Sequence, residues 1–297
     1  MRIELVKNER GMTMTLYFMD GKFTERAELN ISIDDRGYYF GDGIYEVIKV
    51  YDGELYTAAE HISRLFQSAA KVKMTIPYTE EQLLEIACEL TQRNAISVGH
   101  IYMQVTRGAA PRMHQFPEST VAPVISAYAI NNPRPTTNIE NGVPVKSVED
   151  IRWLRCDIKS LNLLGNVLAK QEAHEADCVE ALLHRDGVVT EGSSSNLFGV
   201  KGGVIYTHPA TNLILNGITR QVVLGLCQEH MVLVEEKSFT FEDAFNMDEL
   251  FLTSTTSEIM PITSIDGRSI GSETPGIVTR KLQKAFALQI PSPIVGN

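Results

Sequence analysis

A chain of 297 residues is long enough for two compact lobes that each bury a core, and 43% apolar with 22% charged residues is the composition of a globular protein. Its net charge of −10 arises from acidic residues spread along the chain, with no lysine-arginine stripe, so a phosphate backbone would be repelled and no nucleic-acid partner is expected. The four cysteines, Cys88, Cys156, Cys178 and Cys227, are too scattered for a disulfide framework and read as reduced, buried thiols.

Residues 1–14 carry charges throughout and hold no apolar stretch, so they are neither signal peptide nor anchor and read as an N-terminal extension. No later apolar run approaches a membrane span, so no membrane partner and a cytoplasmic location are expected. From residue 15 to 131 the pattern is that of a small α/β domain. Asp20-Gly21 and Asp52-Gly53 separate strand-like runs and favour two-residue hairpins, because glycine tolerates positive φ. Residues 60–74 place Ile62, Leu65, Phe66, Ala69, Ala70 and Val72 at helical spacing, and Thr79 with Gln82 forms a capping box for a second helix reaching about Arg93. Strands are expected over 100–107 and 121–128, around a loop at 108–120.

The proline-bearing stretch 132–138 cannot sustain a helix on this reading and is taken as the interdomain linker, with a larger C-terminal domain over 139–297. That domain opens with an irregular segment, Trp153 to Asn162, and a helix over 163–176. Hairpins turning at Asp186-Gly187 and Gly202-Gly203 follow, then a helix opening near Thr219, a short helix near 241–246, a strand at 249–253, a hydroxyl-rich turn at 254–257 and a last helix over 275–288. The whole is a mixed α+β fold.

Three stretches carry chemistry. Lys159 closes the irregular segment just before a helix in apolar company, where a lysine can lose its proton and act as a nucleophile; alone it reads as an ordinary helix-flanking lysine. Glu191 opens Glu191-Gly192-Ser193-Ser194-Ser195-Asn196-Leu197-Phe198, and alone is a turn glutamate. Further on stands Leu215-Asn216-Gly217-Ile218-Thr219-Arg220, whose Ile218 and Thr219 offer the amides of a helix N-terminus as an anion site, with Thr219 equally readable as an N-cap. His174, Cys178 and His184 have loose metal-ligand spacing but no fourth ligand, so no metal is expected and His174 is read as part of helix packing.

Together these residues resemble the fold-type IV, or class IV, pyridoxal 5'-phosphate aminotransferases, from about Leu16 to the C-terminus. The resemblance implies two domains with the cofactor at their interface. It implies Lys159 as the amine that holds the cofactor aldehyde as a Schiff base and then moves a proton as general acid-base. Glu191 would face the ring nitrogen and keep it protonated, and Ser194 would donate to cofactor or substrate. Ile218, Thr219, Ser254, Thr255 and Arg64, the last within His61-Ile62-Ser63-Arg64-Leu65, would hold the phosphate.

Arg112-Met113-His114, on the 108–120 loop, and Tyr45 match the carboxylate trap of class IV members acting on D-amino acids; a mobile solvated loop and a core tyrosine are the plainer reading. In the resembling enzymes that loop is lent by a second subunit, so a homodimer sharing Arg112 and His114 across its interface is implied. The expected reaction moves an amino group from a D-amino acid such as D-alanine to a 2-oxo acid such as 2-oxoglutarate. Branched-chain L-aminotransferase and aminodeoxychorismate lyase share the chemistry and stand as alternatives. A non-catalytic small-molecule binding protein is the remaining one, against which Lys159 and Glu191 argue together.

Overall fold

Alternation of buried and half-buried positions, as an antiparallel sheet covered on one face requires, organises the first of two units in the computed structural model. Residues 15–291 are described, and all elements below are counted among them. Of the described residues, the first unit comprises those up to Arg134 together with Ile158–Asn162 and Pro291; the second comprises Pro135–Asp157 and Leu163–Ile290. The expected extension at residues 1–14 lies outside the described residues.

In the first unit, β1 (Leu16–Met19), β2 (Lys22–Glu25), α1 (Arg36–Phe40), β3 (Gly43–Tyr51), β4 (Glu54–Tyr56), α2 (Ala58–Lys71), α3 (Glu80–Arg93), β5 (Gly99–Thr106) and β6 (Val124–Asn131) follow in order. The strands form one antiparallel sheet in the order β2-β1-β6-β5-β3-β4. Ile44, Ile48, Ile101, Met103 and Ile125 on one face pack with Ile62 and Leu65 of α2 and Leu83 and Leu90 of α3. The opposite face carries a row of half-buried tyrosines: Tyr45, Tyr102, Tyr128 and Tyr17, with successive ring centres 5.6, 5.1 and 5.5 Å apart. Both Asp-Gly turns have the positive φ at two successive residues that a two-residue hairpin asks for, and the Thr79–Gln82 capping box closes reciprocally.

Glu46 of β3 places a charge on the covered face. Arg64 donates to it through Nε at 2.6 Å and Nη2 at 2.9 Å, and His61 Nδ1 lies 2.7 Å away, so α2 is fastened to β3 by a buried ionic plug. Burial pushes the Glu46 carboxyl up, but Arg64 and His61 outweigh it and bring it down to about 2 from 4.5.

The second unit holds α4 (Thr136–Asn141), β7 (Val143–Glu149), α5 (Leu164–Glu175), β8 (Glu180–Arg185), β9 (Val188–Gly192), β10 (Asn196–Lys201), β11 (Val204–Thr207), α6 (Ile218–Glu229), β12 (Val234–Glu235), α7 (Phe241–Ala244), β13 (Glu249–Ser254), β14 (Glu258–Ile265), β15 (Arg268–Ser269) and α8 (Ile277–Gln289). Its mixed sheet runs β12-β11-β10-β13-β14-β7-β8-β9, with β15 beside β14. Three neighbouring pairs, β11/β12, β14/β7 and β7/β8, are parallel. Leu197, Leu250, Leu252, Met260 and Ile262 form its core, and Phe198 stacks on Phe251 at 4.8 Å.

Four expectations need correction. The stretch read as unable to hold a helix contains the start of α4, because Pro135 sits at its N-cap, where a missing N–H costs nothing. Ile158–Asn162 belongs with the first unit although a C-terminal placement was expected, because its backbone pairs with β3. His174 is exposed on α5 rather than packed, and Cys88 and Cys178 are half-buried rather than buried.

A carboxylate held below its unfolded pKa contributes stability that is complete above about 4.5 and is lost as pH falls toward 2. For Glu46 this is on the order of 3 kcal/mol at neutral pH. The gap in unfolding free energy between the wild type and Glu46→Gln, measured by denaturant titration, should therefore narrow steadily from pH 5 to pH 3. A gap independent of pH would show that ion pairing does not hold this group.

Candidate active site

Lys159 reaches the first unit's sheet through its backbone. The Tyr45 amide donates to Lys159 O at 3.0 Å, Leu161 N donates to Gly43 O at 3.0 Å, and Ile44 bridges Ser160, so 159–161 run as a short antiparallel strip along the start of β3. Gly43 is obligatory in this strip: a Cβ there would sit 2.6 Å from Leu161 Cδ1 and 2.7 Å from Val105 O. The Lys159 amide donates to Ser68 Oγ of α2 at 3.3 Å. Its side chain is half-buried, with Nζ 4.3 Å from the centre of the Tyr45 ring. Arg64 lies on the same helix as Ser68, and its charge is matched by Glu46 rather than standing alone. Lys159 also adds to the effects that hold the buried His61 below its ordinary pKa, burial being the largest, while Glu46 opposes them.

Glu191 is the centre of a second group. Its carboxylate accepts from Arg152 Nη1 at 2.7 Å, from Asn196 Nδ2 at 2.9 Å and from the Leu215 amide at 3.1 to 3.2 Å. Burial pushes the Glu191 carboxyl up to about 7, against the pull of Arg152 and the Leu215 amide. Arg152 is itself anchored by Asp150, which accepts from its Nε and Nη2 at 2.9 Å each, from Thr190 Oγ1 at 2.9 Å and from Arg185. Burial disfavours the Arg152 charge, yet its acidic neighbours hold its pKa above the usual value.

Asn196 joins this carboxylate to the next motif, since its Nδ2 also donates to Leu215 O at 2.8 Å. A Cβ on Gly217 would run into Asn196 Oδ1, which explains the glycine. Gly217 is the N-cap of α6, so Thr219 is not the cap but lies inside the first turn with Ile218, where amides lack partners within the helix. Arg220, the motif's last residue, is structural: buried, it donates to His208 O at 3.0 Å and to Glu236 at 2.6 Å. Thr253 stands across from Asn196 in the β10/β13 register, and Ser254 and Thr255 follow, half-buried.

Ser194 departs from expectation. Its hydroxyl donates to Glu180 Oε2 at 2.8 Å, Ser195 donates to the same oxygen at 3.1 Å, and Ser193 donates to Oε1, so one buried glutamate gathers all three serines and shapes the turn after Glu191. Arg112 and His114 form a third, exposed group in the first unit. The Arg112 guanidinium lies 5.1 Å from the centre of the Phe40 ring and the His114 ring 5.7 Å from it.

Sequence reasoning passed over Arg152, Asp150, Glu46 and Glu180. An Asp-x-Arg at a strand end, and a lone glutamate within an apolar strand, carried the signal, but either pattern is also common on surfaces. The described residues suit pyridoxal 5'-phosphate: a half-buried amine on one strip, a buried carboxylate whose raised pKa a basic ring nitrogen would relieve, and helix amides with hydroxyls for a phosphate. Among the described residues no cluster of His, Cys, Asp and Glu has the arrangement to hold a metal ion.

A family model described as amino-transferase class IV matches residues 43–265. A D-alanine aminotransferase of Staphylococcus haemolyticus is 49% identical over 279 residues, covering 94% of this chain and 99% of that protein. One of Bacillus licheniformis is 50% identical over 273 residues, covering 92% and 96%. The branched-chain amino acid aminotransferase of Escherichia coli superposes with a TM-score of 0.88 at 23% identity, over 95% of this chain and 98% of that one, a likeness in fold. The chain therefore belongs to the class IV aminotransferases, enzymes that work with pyridoxal 5'-phosphate.

Proposed function

We propose that the protein is a D-amino-acid transaminase that moves the amino group of D-alanine to 2-oxoglutarate, giving pyruvate and D-glutamate. The observation that carries this reading is near-half identity to D-alanine aminotransferases along almost the whole chain, with the Arg112-x-His114 loop present and exposed. Branched-chain aminotransferases of solved structure share the fold at 23 to 28% identity, well below the 49 to 50% identity to D-alanine aminotransferases.

Bound, the cofactor supplies an electrophilic aldehyde carbon and a ring that accepts electrons. Lys159 is the amine that holds it, and afterwards its Nζ carries the proton lost from the substrate's α-carbon. The Tyr45 ring keeps that amine beside the strip that delivers it. Glu191 would accept the ring N–H, and Arg152 with Asn196 fixes the direction in which its lone pairs point. Ile218, Thr219, Ser254 and Thr255 offer donors to the phosphate, while Arg64 contributes charge from its pair with Glu46. Ser194 acts through Glu180, holding the turn rather than touching substrate.

Arg112 and His114 bind the substrate α-carboxylate, lent by a second copy to its neighbour, and Tyr45 borders the same substrate. Exposed Trp153, Leu154, Leu164, Val167 and Leu168 support a homodimer, because a second copy can cover large apolar side chains that a single copy leaves in water. A cytoplasmic enzyme is consistent with four free thiols and with no helix among the described residues long and apolar enough to cross a membrane.

Supplying each enantiomer of alanine with 2-oxoglutarate should give pyruvate from the D form; turnover of the L form alone would defeat the assignment. Borohydride treatment of the loaded enzyme should fix the cofactor on Lys159, and Lys159→Ala should lose both label and turnover; full turnover in that variant would overturn its role. Arg112→Ala should raise KM for D-alanine by roughly two orders of magnitude while the cofactor absorbance persists. Arg152→Met removes the charge that restrains Glu191, so the carboxyl should rise above its present value near 7. A carboxylic-acid infrared band should then persist at pH 8 in the apo-protein, with cofactor affinity weakened at least tenfold; an ionised Glu191 in that variant would contradict the electrostatic account.

A further inference from the structure

The loop bearing Arg112 and His114 is exposed, yet it is tied down from beneath. Arg36, the first residue of α1 and itself buried, donates from Nη1 to Met113 O at 2.6 Å and from Nη2 to His114 O at 3.5 Å. Its Nε donates to Asp42 at 2.8 Å, and Asp42 also receives Arg107 Nε at 2.8 Å. Burial pushes the Asp42 carboxyl up, but the two arginines outweigh it and hold it below its ordinary value, so it serves both as an anion.

The helix under the loop is fixed at its start as well. Asp35 caps α1 by accepting from Gly37 N at 2.8 Å and receives Thr106 Oγ1 at 2.7 Å, while Arg36 N donates to Gly108 O at 3.0 Å. Gly37 admits this approach, since a Cβ there would sit 2.5 Å from Thr106 Cγ2. Phe40, at the other end of α1, has Arg36 4.9 Å and Arg112 5.1 Å from its ring centre, with the His114 ring beside it. One five-residue helix thus holds the loop's backbone by a guanidinium fork and its two side chains by an aromatic ring.

We infer that Arg36 is a positioning residue for recognition of the substrate α-carboxylate: by binding the Met113 and His114 carbonyls it sets where Arg112 and His114 stand before substrate arrives. The inference rests on the reading that these two residues receive the carboxylate. A planar guanidinium spreads its donors over three nitrogens and reaches Asp42 and the two carbonyls at once; an ammonium places its donors on a single nitrogen, so lysine is not an adequate substitute. Removing Arg36 leaves Asp42 paired with Arg107, so no buried charge is stranded and the fold is retained.

The test uses cofactor-loaded Arg36→Lys and Arg36→Gln enzymes, with Arg112→Ala alongside. For each, kcat and KM for D-alanine are measured together with hydrogen-deuterium exchange of peptides spanning 111–116. Both Arg36 variants should raise KM by about tenfold or more, as misplacement of a binding group by an ångström does, with kcat within about twofold of wild type. Exchange in 111–116 should quicken in both, and should stay at the wild-type rate in Arg112→Ala, which loses the guanidinium but keeps the tether. Unchanged KM or unchanged exchange in the Arg36 variants, with KM raised in Arg112→Ala, would overturn the positioning role and leave the carboxylate reading standing. A fall in kcat with loss of cofactor at constant KM would mark Arg36 as merely structural. Unchanged KM in Arg112→Ala would remove the carboxylate reading itself, and this inference with it.

Discussion

Backbone pairing between residues 159–161 and the start of β3 is the constraint on which the proposed chemistry depends. The chain on either side of Ile158–Asn162 is counted with the second unit, yet this strip pairs with Gly43 to Tyr45 of the first. A lysine side chain has four rotatable bonds and wanders freely on an irregular loop. Fixing its backbone with two 3.0 Å hydrogen bonds and setting a tyrosine ring beside its amine removes most of that freedom before any ligand binds. The absence of a side chain at Gly43 makes the close pairing possible, so a glycine and a lysine far apart in sequence act as one device.

Two buried glutamates show how neighbours decide protonation when burial is equal. Glu46 has a two-pronged arginine and a histidine to itself and is brought down to about 2; Glu191 shares Arg152 with Asp150 and is pushed up to about 7. A carboxylate with its own counter-charge is a structural ion, spent on fastening α2 to β3. One with half a counter-charge is left wanting another positive partner, which suits the proposed meeting with a protonated ring nitrogen. In Asp150, Arg152 and Arg185 the molecule carries the desolvation cost of three charges to fix the direction of a fourth.

Local rules made much of the fold legible in the sequence. Asp20-Gly21, Asp52-Gly53, Asp186-Gly187 and Gly202-Gly203 all turn hairpins with positive φ, and the Thr79–Gln82 box begins its helix, because each depends only on residues close in sequence. What escaped depends on distant partners. Helix α1 has five residues and an aromatic composition that no periodicity marks; Asp35 and Thr106, seventy-one positions apart, secure its first turn. The prolines before α4 read as helix breakers, though one serves at its N-cap. Site composition fared likewise: Lys159, Glu191 and the 217–220 turn stood out as a motif, whereas Arg152 and Glu180 gain meaning only when the sheet brings them to Glu191 and the serines.

On the proposed assignment, recognition and chemistry are mounted separately within the first unit, and this separation has a physical rationale. Lys159 rides on the β3 strip, whose geometry is tied to the sheet core, while Arg112 and His114 ride on a surface loop tethered by α1, by Ala110 N donating to Asp34 O at 3.1 Å, and by the Arg107 guanidinium 3.8 Å from the Phe116 ring centre. Substitution in that loop changes which carboxylate donors are presented without moving the amine, because no backbone hydrogen bond joins 112–116 to 159–161 among those of the described residues. A rigid strand for the bond-making group and a pinned loop for the selecting group is the division by which one scaffold hosts several specificities. It also places the demand for precision on the pin: on that assignment a loop free to wander would lose the guanidinium's alignment with a planar carboxylate, so the short helix beneath it would be as much a part of selectivity as the residues it presents.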